Sequence, residues 1–501
     1  MLSLRLCGVG LVAMLAAAPA FAAGNATALV DAIKSGDKQA VRVRLKTPGV
    51  LKSSVQADGT TALHWAVWTD EVEMVQLLLR AGAPAEVPNR YGVTPLMMAA
   101  TNGNAAILEA LIAAGADAKA AMPEGETALM TAARSGNAEA LRVLLAHGAN
   151  VNARETWMGE TALMWAAGLD HQAAVSMLVK NKADLNIQSK PTSFPRKVGG
   201  QTALPRGGFT ALMYAARQDA MGAARALVEA GADMNKADPE GTTALLLAIT
   251  NGHYDLAALL IEAGADPNVA DETGRAALYA ATEMNTLEFT HGRPAPKKTS
   301  KLGPMDVARL LLAHGADPNQ TLKTPVLRRH NSPGNQFLGA GSTPLMRAAR
   351  GGDIPLMELL IEYGADPFAK QKNNTTLLML SAGLGRRFDQ NSDALEYERA
   401  TEADLLKSVK FCLALGLDVN AANDAGDTAL HWAGGDAIKL LVEHGARMDA
   451  KNKLGKTPLD VALARRDRTG RQHRPGAVVA LQALGAPTTG PVKVEAPGDA
   501  Q

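Results

Sequence analysis

The chain has 501 residues and a formal net charge of +1, so a strongly polybasic or polyacidic binding mode for the whole molecule is excluded. Aromatic residues make up only 4% of it. Leu, Ala and Met must therefore do most of the packing, which suits many small helices better than a β-sandwich.

In chain order, the first element reads as an export signal: Arg5, then an apolar stretch from Leu6 to Ala18, then "APAFAA" (18–23) with small residues suited to cleavage after Ala22 or Ala23. The apolar stretch is shorter than the roughly 20 residues a membrane helix needs. A periplasmic or secreted location is the expectation, with no membrane span after cleavage. Cys7 would leave with the signal, and Cys412 would remain alone, excluding an internal disulfide. Cys412 lies in the helical run "KSVKFCLALG", which predicts a buried structural thiol.

"NATALVDAIKSGDKQAVRVRLK" (25–46) predicts a helix pair, the core of an N-terminal cap over 25–57. From Gly59 a repeat sets in. Gly59, Gly92 and Gly125 are 33 residues apart, as are Gly208, Gly241 and Gly274, and Asn374 comes after Gly341 at the same interval. Each opens a similar step, such as "GTTALHWAV", "GVTPLMMAA", "GETALMTAA", "GFTALMYAA", "GSTPLMRAA" and "GDTALHWAG", giving eleven units over 58–485. Most units then carry a second helical run that ends in Gly-Ala, as in "AEALRVLLAHGA" (138–149). Its apolar residues recur at i, i+3, i+4 and i+7, and the Gly suits a left-handed helix cap. The Thr before each first helix is placed to cap it, and the Pro of "TPL" suits a first turn. Steps such as "GADPNVADETG" have turn chemistry.

These motifs closely resemble the ankyrin repeat, with its T-P-L-H-x-A-A signature, over nearly the whole mature chain. The resemblance implies an all-α repeat solenoid, a stack of helix pairs with short β-hairpin fingers. It implies a binding rather than a catalytic role, on the concave face of fingers and first helices. Carried over position by position, it marks Trp68, Tyr91, Arg134, Trp157, Met158, Arg206, Phe209, Arg217 and Arg350 as partner-binding candidates. Trp68 and Trp157 stand out because Trp is scarce and both lie off the packing column Trp65, Trp165, Tyr214, Trp432.

His64 and His431 occupy one position of two distant repeats, where the resemblance implies a hydrogen-bonding role tying finger to helix. Met97, Met130, Met164, Met213, Met346 and Met379 take that position elsewhere and are read as pliable filler rather than a Cu(I) path. His147, His314 and His444 precede the closing Gly of second helices, where a His suits the last carbonyls. The sequence holds no P-loop, dinucleotide fingerprint, H-E-x-x-H or zinc-type Cys/His cluster. No enzyme, cofactor or metal is therefore expected.

Four insertions, at 188–207, 286–303, 322–340 and 386–404, interrupt the period. The first three carry net charges of +4, +3 and +3, and the fourth is acidic. Lys190, Arg196, Lys197, Lys323, Arg328 and Arg329 form the basic loops that enlarge two hairpins. Another protein is the expected partner. Anionic envelope polysaccharide or lipid bound by these loops is the alternative, an enzyme sited in the insertions a third, and export argues against nucleic acid. "GGDAIKLL" (434–441) is about four residues short of a normal unit. "ARRDRTGRQHR" (464–474) predicts a solvated close to the stack, and residues 486–501 a disordered tail.

Overall fold

Thr61, Thr94, Thr127, Thr161, Thr210, Thr243, Thr343 and Thr376 each accept a backbone N–H with Oγ1 at the start of a first helix. Each hydroxyl satisfies one of the donors that a helix N-terminus leaves unpaired. Pro95 and Pro344 occupy the first turn, where the missing N–H costs nothing. Gly82, Gly115, Gly148 and Gly264 close second helices at φ 83°, 98°, 84° and 93°, the left-handed cap expected of Gly-Ala. Asn374 takes φ 59°, so it does stand in for the turn glycine.

The protein is described here by a computed structural model covering residues 26–191, 207–286, 300–324, 337–384, 401–464 and 475–489. The export segment, the interiors of the four insertions, most of 464–474 and the end of the tail lie outside the described residues. The chain divides into two compact units, 1–156 with 180–183, and 157–179 with 184–501.

In the first unit, Ala26–Lys34 and Lys38–Arg44 form the capping pair, succeeded by a turn of helix at Val50–Ser53. The pairs Ala62–Trp68 with Val72–Arg80, Pro95–Asn102 with Ala105–Ala113, and Ala128–Ser135 with Ala138–Ala146 complete it. Leu29 and Ile33 are fully buried against the first of these, so the cap shields an apolar flank.

In the second unit the pairs are Ala162–Gly168 with Gln172–Lys180, Ala211–Gln218 with Met221–Glu229, and Ala244–Asn251 with Tyr254–Glu262. Ala277–Thr286 with Pro304–Ala313, Pro344–Arg350 with Ile354–Glu362, and Leu377–Ser381 with Glu402–Ala414 come next. The repeat lacking four residues has only a 3₁₀ turn, Ala429–His431, before Gly435–Glu443. Pro458–Ala464 and Pro475–Ala483 end the series. Within each unit, first helices pack on first helices of the next repeat. The chain is an all-α repeat solenoid.

The fingers are too short for strands. Among the described residues only isolated bridges occur, such as Ala121 with Thr127 and Pro191 with Gly207. A backbone rung joins several tips to their neighbours instead: Arg90 N–H to Asp58 O at 2.7 Å and Thr156 to Glu124 at 2.7 Å in the first unit. In the second, Lys190 bonds Met158 O at 2.5 Å, Lys323 bonds Thr273 O at 2.7 Å and Lys453 bonds Ala425 O at 2.8 Å. Glycine is required at Gly241, where at φ +81° a Cβ would stand 2.8 Å from Asp271 Cα. At the other loops an asparagine staples neighbours. Asn268 Oδ1 accepts Asp317 N–H at 2.8 Å while its Nδ2 donates to Gly315 O at 2.9 Å, and Asn319 repeats this on Asp366 and Gly364.

His64 is fully buried. Its Nδ1 accepts from Thr61 N–H at 3.1 Å, and its Nε2 contacts Val93 O of the next finger at 3.1 Å. That pairing demands the neutral ring protonated on Nε2, since a proton on Nδ1 would face the Thr61 N–H. His431 repeats it with Thr428 and Lys456 O, so the two distant His residues are one structural part used twice. Met213 Sδ takes the equivalent Thr210 N–H at 3.4 Å, which is why Met can replace His here. All six methionines of this position are buried.

Burial, opposed in part by the Val93 carbonyl, lowers the His64 pKa below its ordinary 6.5. A depressed base binds fewer protons folded than unfolded, so its contribution is full above pH 6.5 and is lost as pH falls below it. Urea denaturation at pH 7.5 and pH 5.5 is expected to show that loss, and His64→Met to reduce it. An unchanged pH difference in the variant would refute the assignment.

Candidate functional site

In the first unit, Trp68 ends its helix 40% exposed, and Tyr91 sits at a finger tip 37% exposed. Arg90 braces Tyr91, with Nη2 donating to the phenol oxygen at 2.6 Å. Arg134 is instead drawn in, only 17% exposed, to a 3.3 Å ion pair with Glu126.

In the second unit, Trp157 at a finger tip is 64% exposed. Met158 beside it is half-buried, and its carbonyl takes the Lys190 rung. Arg217 is half-buried, 5.9 Å above the Phe209 ring. Lys190 and Lys323 hold the rungs from which the two basic insertions depart. Arg206, Arg196, Lys197, Arg328 and Arg329 lie outside the described residues.

Two candidates are corrected. Phe209 is 1% exposed, because it packs edge-on to Tyr214 at 5.7 Å beneath Arg217. Arg350 is 0% exposed, since its Nη1 donates to the Leu384 carbonyl and Phe337 lies 5.5 Å from its guanidinium. Neither is available at the surface to a partner.

These positions share a rule that spacing alone did not reveal. The residue after the turn glycine meets the residue eight further on, at the end of the first helix. Glu126 meets Arg134, Phe209 meets Arg217, and Arg275 meets Glu283 with the charges reversed. Glu160 is a variant, accepting from Trp165 Nε1 at 2.7 Å and from the Tyr214 hydroxyl of the next repeat. Burial and the Glu160 carboxylate push the Tyr214 phenol well up, so it stays protonated.

The Arg275 pair belongs to a buried charged cluster that the sequence reading missed. Arg275 is 5% exposed and Glu283 2%. Arg275 reaches Asp271 Oδ2 at 3.2 Å and Glu283 Oε2 at 3.3 Å. Burial opposes its charge, but Glu283 and Asp271 outweigh that and hold the guanidinium above its ordinary value. Tyr279 is buried alongside, its phenol pushed up by burial, and Arg347 on the facing helix is fully buried. Arg347 stands where Trp65, Trp165, Tyr214 and Trp432 stand in other repeats, and that exchange of an aromatic for a cation was the visible signal.

The remaining expectations fall on single residues. Cys412 is fully buried, 3.1 Å from Ser381 Oγ, and burial pushes its thiol up to about 12, so it is unreactive. His314 and His444 place Nδ1 on the Leu310 and Leu440 carbonyls at 2.9 and 2.8 Å. His147 differs, pairing with Glu109 of the preceding repeat at 2.8 Å. Among the described residues no helix is long and apolar enough to cross a membrane.

Turn-glycine fingers, threonine-capped first helices and Gly-Ala-ended second helices define a helical repeat protein of the interaction type. Family models for ankyrin repeats in three copies match residues 9–91, 29–122, 96–189, 197–271 and 398–470, and one for a single ankyrin repeat matches 340–372. The chain belongs to the ankyrin-repeat family. It is 32% identical over 128 residues to an ankyrin repeat-containing protein of Treponema pallidum (strain Nichols), covering 24% of this chain and 39% of that one. It is 30% identical over 118 residues to an ankyrin repeat protein of Acanthamoeba polyphaga mimivirus, covering 21% and 19%. The neurogenic locus notch homolog protein 1 of Homo sapiens is 34% identical over 127 residues, covering 24% and 4%. The chain thus matches well under half the length of each relative. Ankyrin repeats generally mediate protein–protein interaction, and the family is typically non-catalytic.

Proposed function

We propose that this protein is a non-catalytic scaffold that binds another protein in the periplasm or outside the cell. The observation that carries the reading is the exposure of Trp157, at 64%, in a chain whose other described tryptophans pack against neighbours or stand less exposed. Large aromatic side chains at protruding rigid positions are the type that dominates interface energetics. Trp68 and Tyr91 offer the same chemistry on the first unit. The extracytoplasmic location rests on the export-type N-terminus.

Affinity capture from cell-envelope extract, with Trp157→Ala and Trp68→Ala run beside the parent, tests this. Trp157→Ala is expected to weaken the captured partner by roughly 2 kcal/mol, about thirtyfold in Kd. Equal capture by both variants would overturn the reading. The second reading, an envelope polymer bound by basic loops, is favoured by the departure of both hairpin insertions from lysines at finger tips. It predicts capture that fades with salt and vanishes on charge reversal of Lys190 and Lys323, with the tryptophans irrelevant.

A further inference from the structure

The fingers change character toward the end of the second unit. Earlier ones there carry Asp238, Glu240, Asp271 and Glu272. The last three tips, at 370–374, 423–427 and 451–456, carry Lys370, Lys372, Lys451, Lys453 and Lys456. These tips are consecutive, since Asp424 N–H bonds Asn373 O at 2.9 Å and Lys453 N–H bonds Ala425 O at 2.8 Å. Their acids are Asp424 and Asp427. Asp424 Oδ1 already accepts from Asn374 Nδ2 at 2.7 Å, and Asp427 is buried, accepting from Trp432 Nε1 and Asn452 Nδ2. Lys407, Lys439 and Arg447 each pair with an acid close by in the chain. The five tip lysines make no ion pair among the described residues; four are exposed and Lys456 is half-buried.

Leu454 stands at the apex of the last finger, 78% exposed, the most exposed large apolar side chain among the described residues. Its position, just before the turn glycine, is held by Asp58, Glu124, Glu240, Thr273 and Asn373 in other fingers, with Tyr91 and Met158 the other large apolar occupants. The outer flank of this finger is open. A Cβ on Gly241, Gly274 or Gly426 would stand 2.8, 2.7 or 2.8 Å from the next finger, whereas one on Gly455 would meet nothing within 4 Å. The tip is held fast all the same. Asn452 Oδ1 accepts from Leu454 N–H at 3.0 Å and from Lys456 N–H at 3.1 Å, and His431 Nε2 meets Lys456 O at 3.2 Å. Little ordering is left to do on contact, so a partner meets one fixed leucine among cations.

An anionic lipid surface rewards both features. Each lysine brought near one adds about fivefold in affinity, and burying one leucine at its interface adds about tenfold or more. A single finger is too small for a standard protein interface, which takes about 800 Å² from each partner, whereas a fluid surface conforms to it. An anionic polysaccharide would use the lysines and leave the leucine idle. Lysine, a compact point charge, also suits many diffuse headgroups better than one bidentate contact.

We propose that the finger at 451–456, with Leu454 at its apex and Lys451, Lys453 and Lys456 around it, docks the protein reversibly on an anionic lipid surface. Lys370 and Lys372 add charge beside it. The docking tip is separate from the tryptophans and from the basic insertions, and stands or falls without them.

The test is co-sedimentation of the full chain with vesicles of phosphatidylcholine alone and of phosphatidylcholine and phosphatidylglycerol in equal parts. Binding is expected to favour the anionic vesicles and to fade at about 1 M sodium chloride, where charges are screened beyond about 3 Å. Lys451→Ala and Lys453→Ala are each expected to cut the anionic preference about fivefold. Leu454→Ser is expected to weaken binding about tenfold while leaving its salt dependence in place. All three positions are exposed, so the variants are expected to fold. Trp157→Ala and Lys190→Glu are expected to bind vesicles as the parent does. Equal binding to both vesicles, or an anionic preference unchanged in both lysine variants, would overturn the proposal. So would binding to alginate but not to vesicles, unaltered by Leu454→Ser, which would assign the tip to an acidic polymer.

Discussion

Arg275→Ala is expected to destabilise the protein by roughly 3–5 kcal/mol, the cost of removing one member of a buried ion pair. Asp271 keeps other donors, the backbone N–H groups of Thr273 and Arg275 at 2.9 and 3.1 Å, so its charge remains satisfied in part. Glu283, 2% exposed, loses the guanidinium 3.3 Å away. The paired variant Arg275→Leu with Glu283→Gln is expected to recover most of the loss, because removing both charges also removes the need to desolvate them. Urea denaturation of the three proteins measures this. A single variant within about 1 kcal/mol of the parent, the range of a solvent-exposed pair, would show that the cluster is wetter than its burial suggests.

Leu111→Ala is the second large effect. Leu111 is fully buried on Ala105–Ala113, between Val72–Arg80 and Ala138–Ala146. Removing its branched end costs roughly 2–5 kcal/mol, through lost transfer energy and a cavity. In a stack stabilised by nearest neighbours the loss is shared. Hydrogen exchange is therefore expected to quicken in both flanking helices as well as in Ala105–Ala113. Faster exchange confined to Ala105–Ala113 would contradict nearest-neighbour coupling.

Much of this fold was legible because its determinants are local. Thr61 caps the helix that begins beside it, Gly82 caps the helix before it, and Asn374 replaces a turn glycine. The thiol of Cys412 and the pairing role of His64 were readable for the same reason, as each sits in a pattern of the repeat. The candidate site was less legible, because exposure is set by what lies across from a residue. Arg134, Arg217 and Arg350 occupy one position of three repeats. The first pairs with Glu126, the second stacks on Phe209, and the third is sealed by Phe337 and Leu384. Arg217 meets Phe209 of its own repeat, but the position equivalent to Phe209 before Arg350 is Ser342, and the ring beside Arg350 is Phe337, at the edge of an insertion. Phe209 misled for a related reason, lying one residue past the turn, where the chain has already dived beneath Arg217.

The rungs between finger tips use only main-chain atoms. Lys190 and Lys323 make the same bond as Arg90 and Lys453, and only then does the chain run out into sequence of another kind. Such a rung excludes only proline at its donor position, and at Lys190 and Lys323 the register is secured before the excursion begins. New peptide spliced between Lys190 and Gly207 would inherit a fixed base, as would peptide spliced after Lys323, so these two points are natural ports for grafting foreign recognition segments onto the scaffold.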